Sequence, residues 1–260
     1  MATNLIDRID NWLVSKEHRA RTSHYPSDLL ACRRQLYYKW TKEPITRPME
    51  AGAHWKTRIG DSLHDMIFGF LKDSGLDIVR EIEFKLDLGL KYKISGRLDC
   101  VFVDEDKSLS GLEIKTSFGR GIVEIQREQE PKPEHIAQVF VYMKATEIKR
   151  FYLLYLGRDS GYRTVFVFEY IDGVLCYNGH PVKITLEQIK AKLQDLELSI
   201  DMKSLPDRDY KMLIKNGKLR DKVQKDSVDH SSDWQCRFCG FVETCYKDDL
   251  VKYSVGDNIN

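Results

Sequence analysis

Residues 111–117 read GLEIKTS, and two of them carry opposite charge with one apolar residue between. In a strand, Glu113 and Lys115 share a face while Leu112 and Ile114 take the other. The preceding strand-like run, ISGRLDCVF, holds Asp99 beside Leu98 and Cys100, and a short acidic turn joins the two runs. That pattern predicts an antiparallel hairpin in which Asp99 can face Glu113 and Lys115. Two carboxylates and an ammonium allow two readings. One is a surface ion-pair cluster, which contributes little. The other is a site where Mg²⁺ or Mn²⁺ sits between Asp99 and Glu113, offsets their repulsion, polarises a phosphate and activates a water. Lys115 would then orient that water or stabilise charge on the phosphorus oxygens. The residues alone leave both open.

A second constellation lies near the C-terminus. Cys236, Cys239 and Cys245 form C-x2-C-x5-C in DWQCRFCGFVETCYK. In a reducing compartment, three thiols this close imply a metal rather than disulfides. A fourth ligand has three candidates: Cys32, Cys100 and Cys176. Cys100 should point away from Asp99 into the core, and Cys176 suits packing in a hairpin strand. Zinc and an iron–sulfur cluster both accept four thiolates.

These groups must be positioned by a fold. The chain has 260 residues, 42% hydrophobic and 31% charged, enough for one large domain or two small ones. Lys plus Arg number 41 and Asp plus Glu 40, so no global basic field marks a nucleic-acid partner, and binding must come from local clusters. No apolar run reaches the length of a membrane span, and MATNLIDRIDNWLVSKEHR is not a signal peptide. A cytoplasmic protein without membrane contact is expected. Ile6, Ile9 and Leu13 predict a first helix; Pro26 and Ser27 predict a helix start with Ser27 as N-cap. Ile59, Leu63, Ile67 and Phe70 form one helical stripe ending at Gly75. Three strand-like runs follow over 78–117, then a polar loop over 117–133, the helix PEHIAQVFVYMKAT and two more strands. Asn178-Gly179 marks a hairpin, and Thr185 with Gln188 a capping box. The order predicts an α/β fold with a mixed central sheet flanked by helices.

At this point the chain resembles a family. Asp99 followed by Glu113-Ile114-Lys115 looks like the PD-(D/E)xK nucleases. GRLD, LEIKTS and HIAQVFVYM look like its RecB-like branch over about residues 20–157. The resemblance implies a restriction-endonuclease-like core, and a metal held by His64, Asp99, Glu113 and the Ile114 carbonyl. It places Gln138 and Tyr142, four apart on one helix, in the catalytic set. It also chooses Cys32 as the fourth thiolate of a 4Fe–4S cluster, as in the AddB-type subunits and the small nucleases of CRISPR adaptation. Cys32 and Cys236 lie 204 positions apart (236 minus 32), so a cluster joining them closes a long loop and ties the N- and C-terminal segments.

Arg33, Arg34, Tyr37, Arg58, Arg120 and His135 are the candidates for touching DNA phosphates and bases. The chain therefore reads as one nuclease domain. Residues 1–55 carry the first cluster cysteine, 56–178 the nuclease core, 179–230 a helical extension, 231–246 the cluster segment and 247–260 a tail. The expected activity is hydrolysis of single-stranded DNA or DNA ends, 5′-to-3′ by resemblance, with helicase, recombination or CRISPR-adaptation partners. A non-catalytic DNA-binding adaptor and a structure-specific endonuclease are the alternatives.

Overall fold

The structure, a computed structural model, describes residues 4–15, 21–225 and 228–254. The helices and strands follow in chain order as α1 (Leu5–Val14), α2 (Arg33–Thr41), α3 (Ala51–Asp73), β1 (Ile78–Leu86), β2 (Ile94–Val103) and β3 (Leu109–Ser117). Next come α4 (Arg120–Glu128), α5 (Pro133–Thr146), β4 (Arg150–Gly157), β5 (Arg163–Ile171), β6 (Val174–Tyr177), β7 (His180–Pro181) and α6 (Leu186–Asp201). The chain ends with β8 (Leu213–Lys215), β9 (Lys218–Arg220), β10 (Lys222–Lys225), β11 (Val228–Ser231), α7 (Trp234–Arg237), α8 (Val242–Cys245) and α9 (Lys247–Ser254). They form two compact units: Thr22–Leu30 with Trp55–Gln194, and Met1–Arg21 with Ala31–His54 and Asp195–Asn260.

The first unit is a mixed α/β layer built on a seven-stranded sheet in the order β1 to β7. Every neighbouring pair is antiparallel except β3 and β4, which run parallel because α4 and α5 carry the chain back between them. One face buries Leu98, Val139, Tyr142, Phe151, Leu153 and Phe168 together. The other packs Cys100, Leu112 and Ile114 on Ile67 and Phe68 of α3. The alternation of faces inverts within β2: Leu98 joins the first core, Cys100 and Phe102 the second. The inversion lies at Asp99, beside the left-handed Glu81 (φ 57°) of β1. Pairing of β2 with β3 ends at Cys100–Leu112, so the two strands part at Asp99 and Glu113.

Gly111 shows how tightly the first core closes on β3. A Cβ there would lie 2.0 Å from the ring of Phe151, its register partner in β4. Gly111→Ala should therefore cost about 1–3 kcal/mol of stability, read from urea melts. An unchanged midpoint would mean the ring can move aside.

The α3 stripe differs from expectation. Ile59 and Phe70 are 50% and 62% exposed. The sheet-facing line instead runs through Gly60, His64, Ile67 and Phe68, whose polar and missing side chains hydrophobic periodicity does not register. Pro26–Asp28 is a single 3-10 turn and α2 begins after Cys32, so Ser27 caps nothing. The expected polar loop after β3 contains α4, which buries Ile122 and Ile125 three residues apart. Among the described residues, the 179–230 segment is helical only over α6; two short hairpins follow. The Asn178-Gly179 turn and the Thr185–Gln188 capping box are present, the latter with reciprocal bonds of 3.0 and 3.2 Å. Among the described residues, no helix is long and apolar enough to cross a membrane.

The second unit has two small cores. Leu36, Tyr37 and Tyr38 of α2 pack with Leu196 and Phe241, and Met212 and Cys236 pack with Val242 and Tyr246.

Candidate functional site

The fork between β2 and β3 gathers the polar groups of the first unit. Asp99 stands in the gap, where its Oδ2 accepts the Ile114 N–H at 2.7 Å in place of a lost ladder bond. His64 Nδ1 from α3 lies 3.6 Å from the same oxygen. Glu113 is 3% exposed, and its Oε1 accepts from Lys115 Nζ at 2.6 Å and from Gln138 Nε2 at 2.8 Å. Gln138 also donates to the Tyr142 hydroxyl, which donates to the Arg97 carbonyl. Two donors thus fix one carboxylate oxygen. The other, Oε2, is buried without a hydrogen-bond partner among the described residues.

Burial raises the Glu113 pKa to about 7; Lys115 lowers it, and Asp99 raises it as a neighbouring acid. A buried carboxyl beside a second carboxyl, with an orphaned oxygen, fits a cation well. His64, Asp99, Glu113 and the Ile114 carbonyl are the groups that would hold one; Asp99 and Glu113 adjoin, though in the gap beyond the last paired position of the hairpin rather than as a cross-strand pair. Among the described residues, however, no three His, Cys, Asp or Glu side chains converge into a group that could hold one ion. His64 reaches Asp99 and Glu113 turns toward Lys115, so the three do not close.

His135 and Tyr155 form a second layer. Tyr155 pairs in register with Lys115 across β3 and β4, which sets it on the same sheet face. Its hydroxyl accepts from the Lys132 N–H at 3.0 Å and lies 2.6 Å from His135 Nδ1. The hydroxyl proton is then free to bond Nδ1, which leaves the ring proton on Nε2. Burial, then Lys115 and Lys132, push the His135 pKa down to about 2, so the ring is neutral. Tyr155 escaped the sequence reading because in FYLLYLG it looks like core, and only the parallel β3–β4 pairing reveals its partner.

The basic candidates divide. Arg33 is held by Asp209 at 2.7 Å and Asp195 at 2.5 Å, with two further bonds to Asp209, rather than standing ready for a phosphate. Arg34 donates to the Pro206 carbonyl at 2.8 Å, and Tyr37 is buried with Leu36 and Phe241. Arg33, Arg34 and Tyr37 of α2 are therefore engaged inside their own unit. Arg58 is exposed beside Asp61, and Arg120 is exposed at the start of α4.

The cysteine prediction concerns the second unit. Cys32, Cys236, Cys239 and Cys245 line one cavity with Arg34, Tyr38, Arg208 and Tyr246. Burial and then the neighbouring thiols push Cys236 up to about 12. Arg34 Nη1 lies 4.0 Å from Cys245 Sγ, and Arg208 donates to the Cys245 carbonyl at 2.5 Å. The four cysteines share this cavity, but among the described residues no three of them converge into a group that could hold one ion. Cys100 and Cys176 are buried elsewhere, as expected for packing.

No protein-family model matches the chain, and no curated protein matches it. Among solved structures, the crystal structure of SSO0001 superposes with a TM-score of 0.54 at 16% identity, covering 92% of this chain and 94% of that one. That likeness is one of fold. The alkaline exonuclease LHK-Exo from Laribacter hongkongensis gives a TM-score of 0.47 at 12% identity, over 76% of this chain and 93% of that one. Its complex with dAMP gives 0.48 at the same identity and coverage.

Proposed function

We propose that this chain is a metal-dependent DNA nuclease with a restriction-endonuclease-like core, acting on single-stranded DNA or DNA ends with 5′-to-3′ polarity. The observation that carries the reading is Glu113: a buried carboxylate with one oxygen pinned by Lys115 and Gln138, the other orphaned beside Asp99. A surface ion pair does not leave a buried carboxylate oxygen unsatisfied. Mg²⁺ or Mn²⁺ held by His64, Asp99, Glu113 and the Ile114 carbonyl would supply Lewis-acid polarisation of a phosphate oxygen. The protein's own groups do the rest. Lys115 orients the attacking water and stabilises charge on the phosphorus oxygens. Gln138 keeps Glu113 from swinging, and Tyr142 holds Gln138 in turn. His135 stays neutral, its Nδ1 held against the Tyr155 hydroxyl.

The resemblance of the cysteine pattern supports a 4Fe–4S cluster on Cys32, Cys236, Cys239 and Cys245, with zinc as the competing occupant. Helicase, recombination or CRISPR-adaptation partners rest on that resemblance alone. The deciding experiment digests end-labelled linear and covalently closed single-stranded DNA with Mg²⁺ or Mn²⁺. Linear strands should disappear at least about tenfold faster, because an end-dependent enzyme finds no end on a circle, a difference of about 1.4 kcal/mol in barrier. Equal rates would make it an endonuclease, and no cleavage of either would end the nuclease reading.

A further inference from the structure

Beyond the carboxylate fork, β3 leads directly to a second group of side chains that the hydrolytic machinery does not use. Phe118 follows the strand and is 48% exposed. Two cations lie close to its ring. Lys56 Nζ lies 5.2 Å and Arg158 Cζ 5.3 Å from the ring centroid. Arg158 also donates to the Lys56 carbonyl at 2.6 Å, which links the two.

The loop is held, not loose. On one side of Phe118, the Ser117 carbonyl accepts from the Arg158 N–H at 2.8 Å. On the other, the Gly119 N–H donates to Asp159 Oδ2 at 2.9 Å. Gly119 itself has φ 55° and ψ −132°, a conformation open to glycine and strained for other residues. The chain thus fixes an aromatic ring in the open, at a cost in backbone freedom.

Its place relative to the fork follows from α3. Lys56, Gly60 and His64 are spaced four apart and lie on one face of the helix. Lys56 reaches Phe118, Gly60 abuts Thr116 and His64 faces Asp99. The step from His64 to Lys56 is about 12 Å along the helix at ~1.5 Å per residue. From Lys115 to Phe118 is roughly 10 Å at ~3.3 Å per residue. The ring and its cations therefore lie beside the fork along the same strand and helix, one short stretch of nucleic-acid backbone away.

An exposed ring beside two cations matches a nucleotide in chemistry: a π-face for the base, positive charge for the phosphate. Bases in a duplex are stacked on each other and leave no face for the ring, so the match is to an unpaired nucleotide. We propose that Phe118, Lys56 and Arg158 form a subsite that stacks one unpaired DNA base on the ring and holds its phosphate between the two cations, next to the position of cleavage. The inference rests on the nuclease reading and gives it a reason to prefer single strands.

The test uses fluorescence anisotropy in EDTA, so that nothing is cut. The probes are a short labelled oligothymidylate and a set of the same oligomer with one abasic position moved along it. For the wild type, one abasic position should weaken binding by roughly tenfold, the loss expected for one base–aromatic stack. Phe118→Ala should weaken the intact oligomer by the same factor and be indifferent to that abasic position. Lys56→Gln should lower the salt slope of log K by about 0.7, as for one lost phosphate contact on a single strand. Thermal melting checks each variant, and Phe118→Leu replaces Phe118→Ala should the alanine variant not fold. Wild-type binding by a folded Phe118 variant overturns the subsite, as does an abasic profile that the substitution leaves intact. A wild type that neither binds nor cuts DNA removes the nuclease reading instead, and one that cuts while the Phe118 and Lys56 variants bind normally removes the subsite alone.

Discussion

Glu113→Gln should lower Mg²⁺-dependent cleavage by at least about 10³-fold, since losing a cation's hold on the phosphate removes several kcal/mol of transition-state stabilisation. Affinity for single-stranded DNA in EDTA should stay within about twofold, because this carboxylate lies behind Lys115 and is buried from any strand. The same substitution has a second signature in stability. The Glu113 pKa is raised by burial to about 7, against 4.5 for an ordinary glutamate. Between those values the folded chain keeps a proton that the unfolded chain has lost. The stabilisation is complete below about pH 4.5 and is lost as pH rises through 7. In EDTA, wild-type stability should therefore fall over that window, while Glu113→Gln stays flat. The two should agree in acid, and at pH 8 the variant should be the more stable by on the order of 3 kcal/mol. Cation binding needs the ionised carboxylate, so wild-type affinity for Mn²⁺ should climb with pH through the same window and release a proton. Full cleavage by the pure variant would remove the site from this fork. Parallel stability curves would mean Glu113 is ionised when metal-free.

The legible parts of this fold were those where local rules and burial agree. The hairpin of β2 and β3, the amphipathic α5, the Asn178-Gly179 turn and the capping box all carry their signal within a few residues. The fork itself was half legible. Glu113 and Lys115 announce a shared face, but Asp99 reaches Glu113 only because the strands part and β2 inverts at that residue. An inversion beside a left-handed Glu81 leaves no mark in hydrophobic alternation. Helix α3 misled for a related reason: its inward line includes a glycine and a histidine, so a purely apolar stripe picked Ile59 and Phe70, which face water. Helix α4 was missed because nine residues with two buried isoleucines look like a polar loop. The hairpin of β8 and β9 carries an Asn216-Gly217 turn, but strands of three residues give alternation too little length to read. Arg33, Arg34 and Tyr37 illustrate the limit of composition. A basic, aromatic helix looks like a nucleic-acid surface until Asp209, Pro206 and Phe241, all about 170 or more positions away, come to meet it.

Cys32→Ala should turn anaerobically purified protein from brown to colourless and unfold most of the second unit, whereas Cys100→Ala and Cys176→Ala should stay brown. The wild type should carry iron and acid-labile sulfide at roughly four of each per chain, as a four-cysteine cluster of the 4Fe–4S type requires. The reason lies in how that unit is built. Its apolar groups form two small clusters, one around α2, Leu196 and Phe241, the other around Met212, Val242 and Tyr246. Cores of that size seldom hold a fold alone, and a metal centre is one of the staples that small units use. Cys239 and Cys245 border both clusters, while Cys32 precedes α2 and Cys236 sits in the second. A group bound by all four thiolates would join the two clusters through covalent ligation, and its binding energy would become folding energy. Arg208 lies over the Tyr246 ring at 4.0 Å, pairs with Asp249 at 2.6 Å and donates to the Cys245 carbonyl, which ties this end of the chain to the cavity wall. With a cluster on these cysteines, removing Cys32 would leave three thiolates on an open side that oxygen attacks, and the remaining ligands would oxidise as well. Cys100 lies against Ile67, Phe68 and Ile114 in the other unit, and burial there pushes its thiol up to about 11, a small apolar filler rather than a ligand. Stoichiometric zinc without iron, from iron-replete anaerobic cells, would make the centre a zinc staple of the same four cysteines. A colourless Cys176→Ala beside a brown Cys32→Ala would place the fourth ligand elsewhere and separate α2 from the centre.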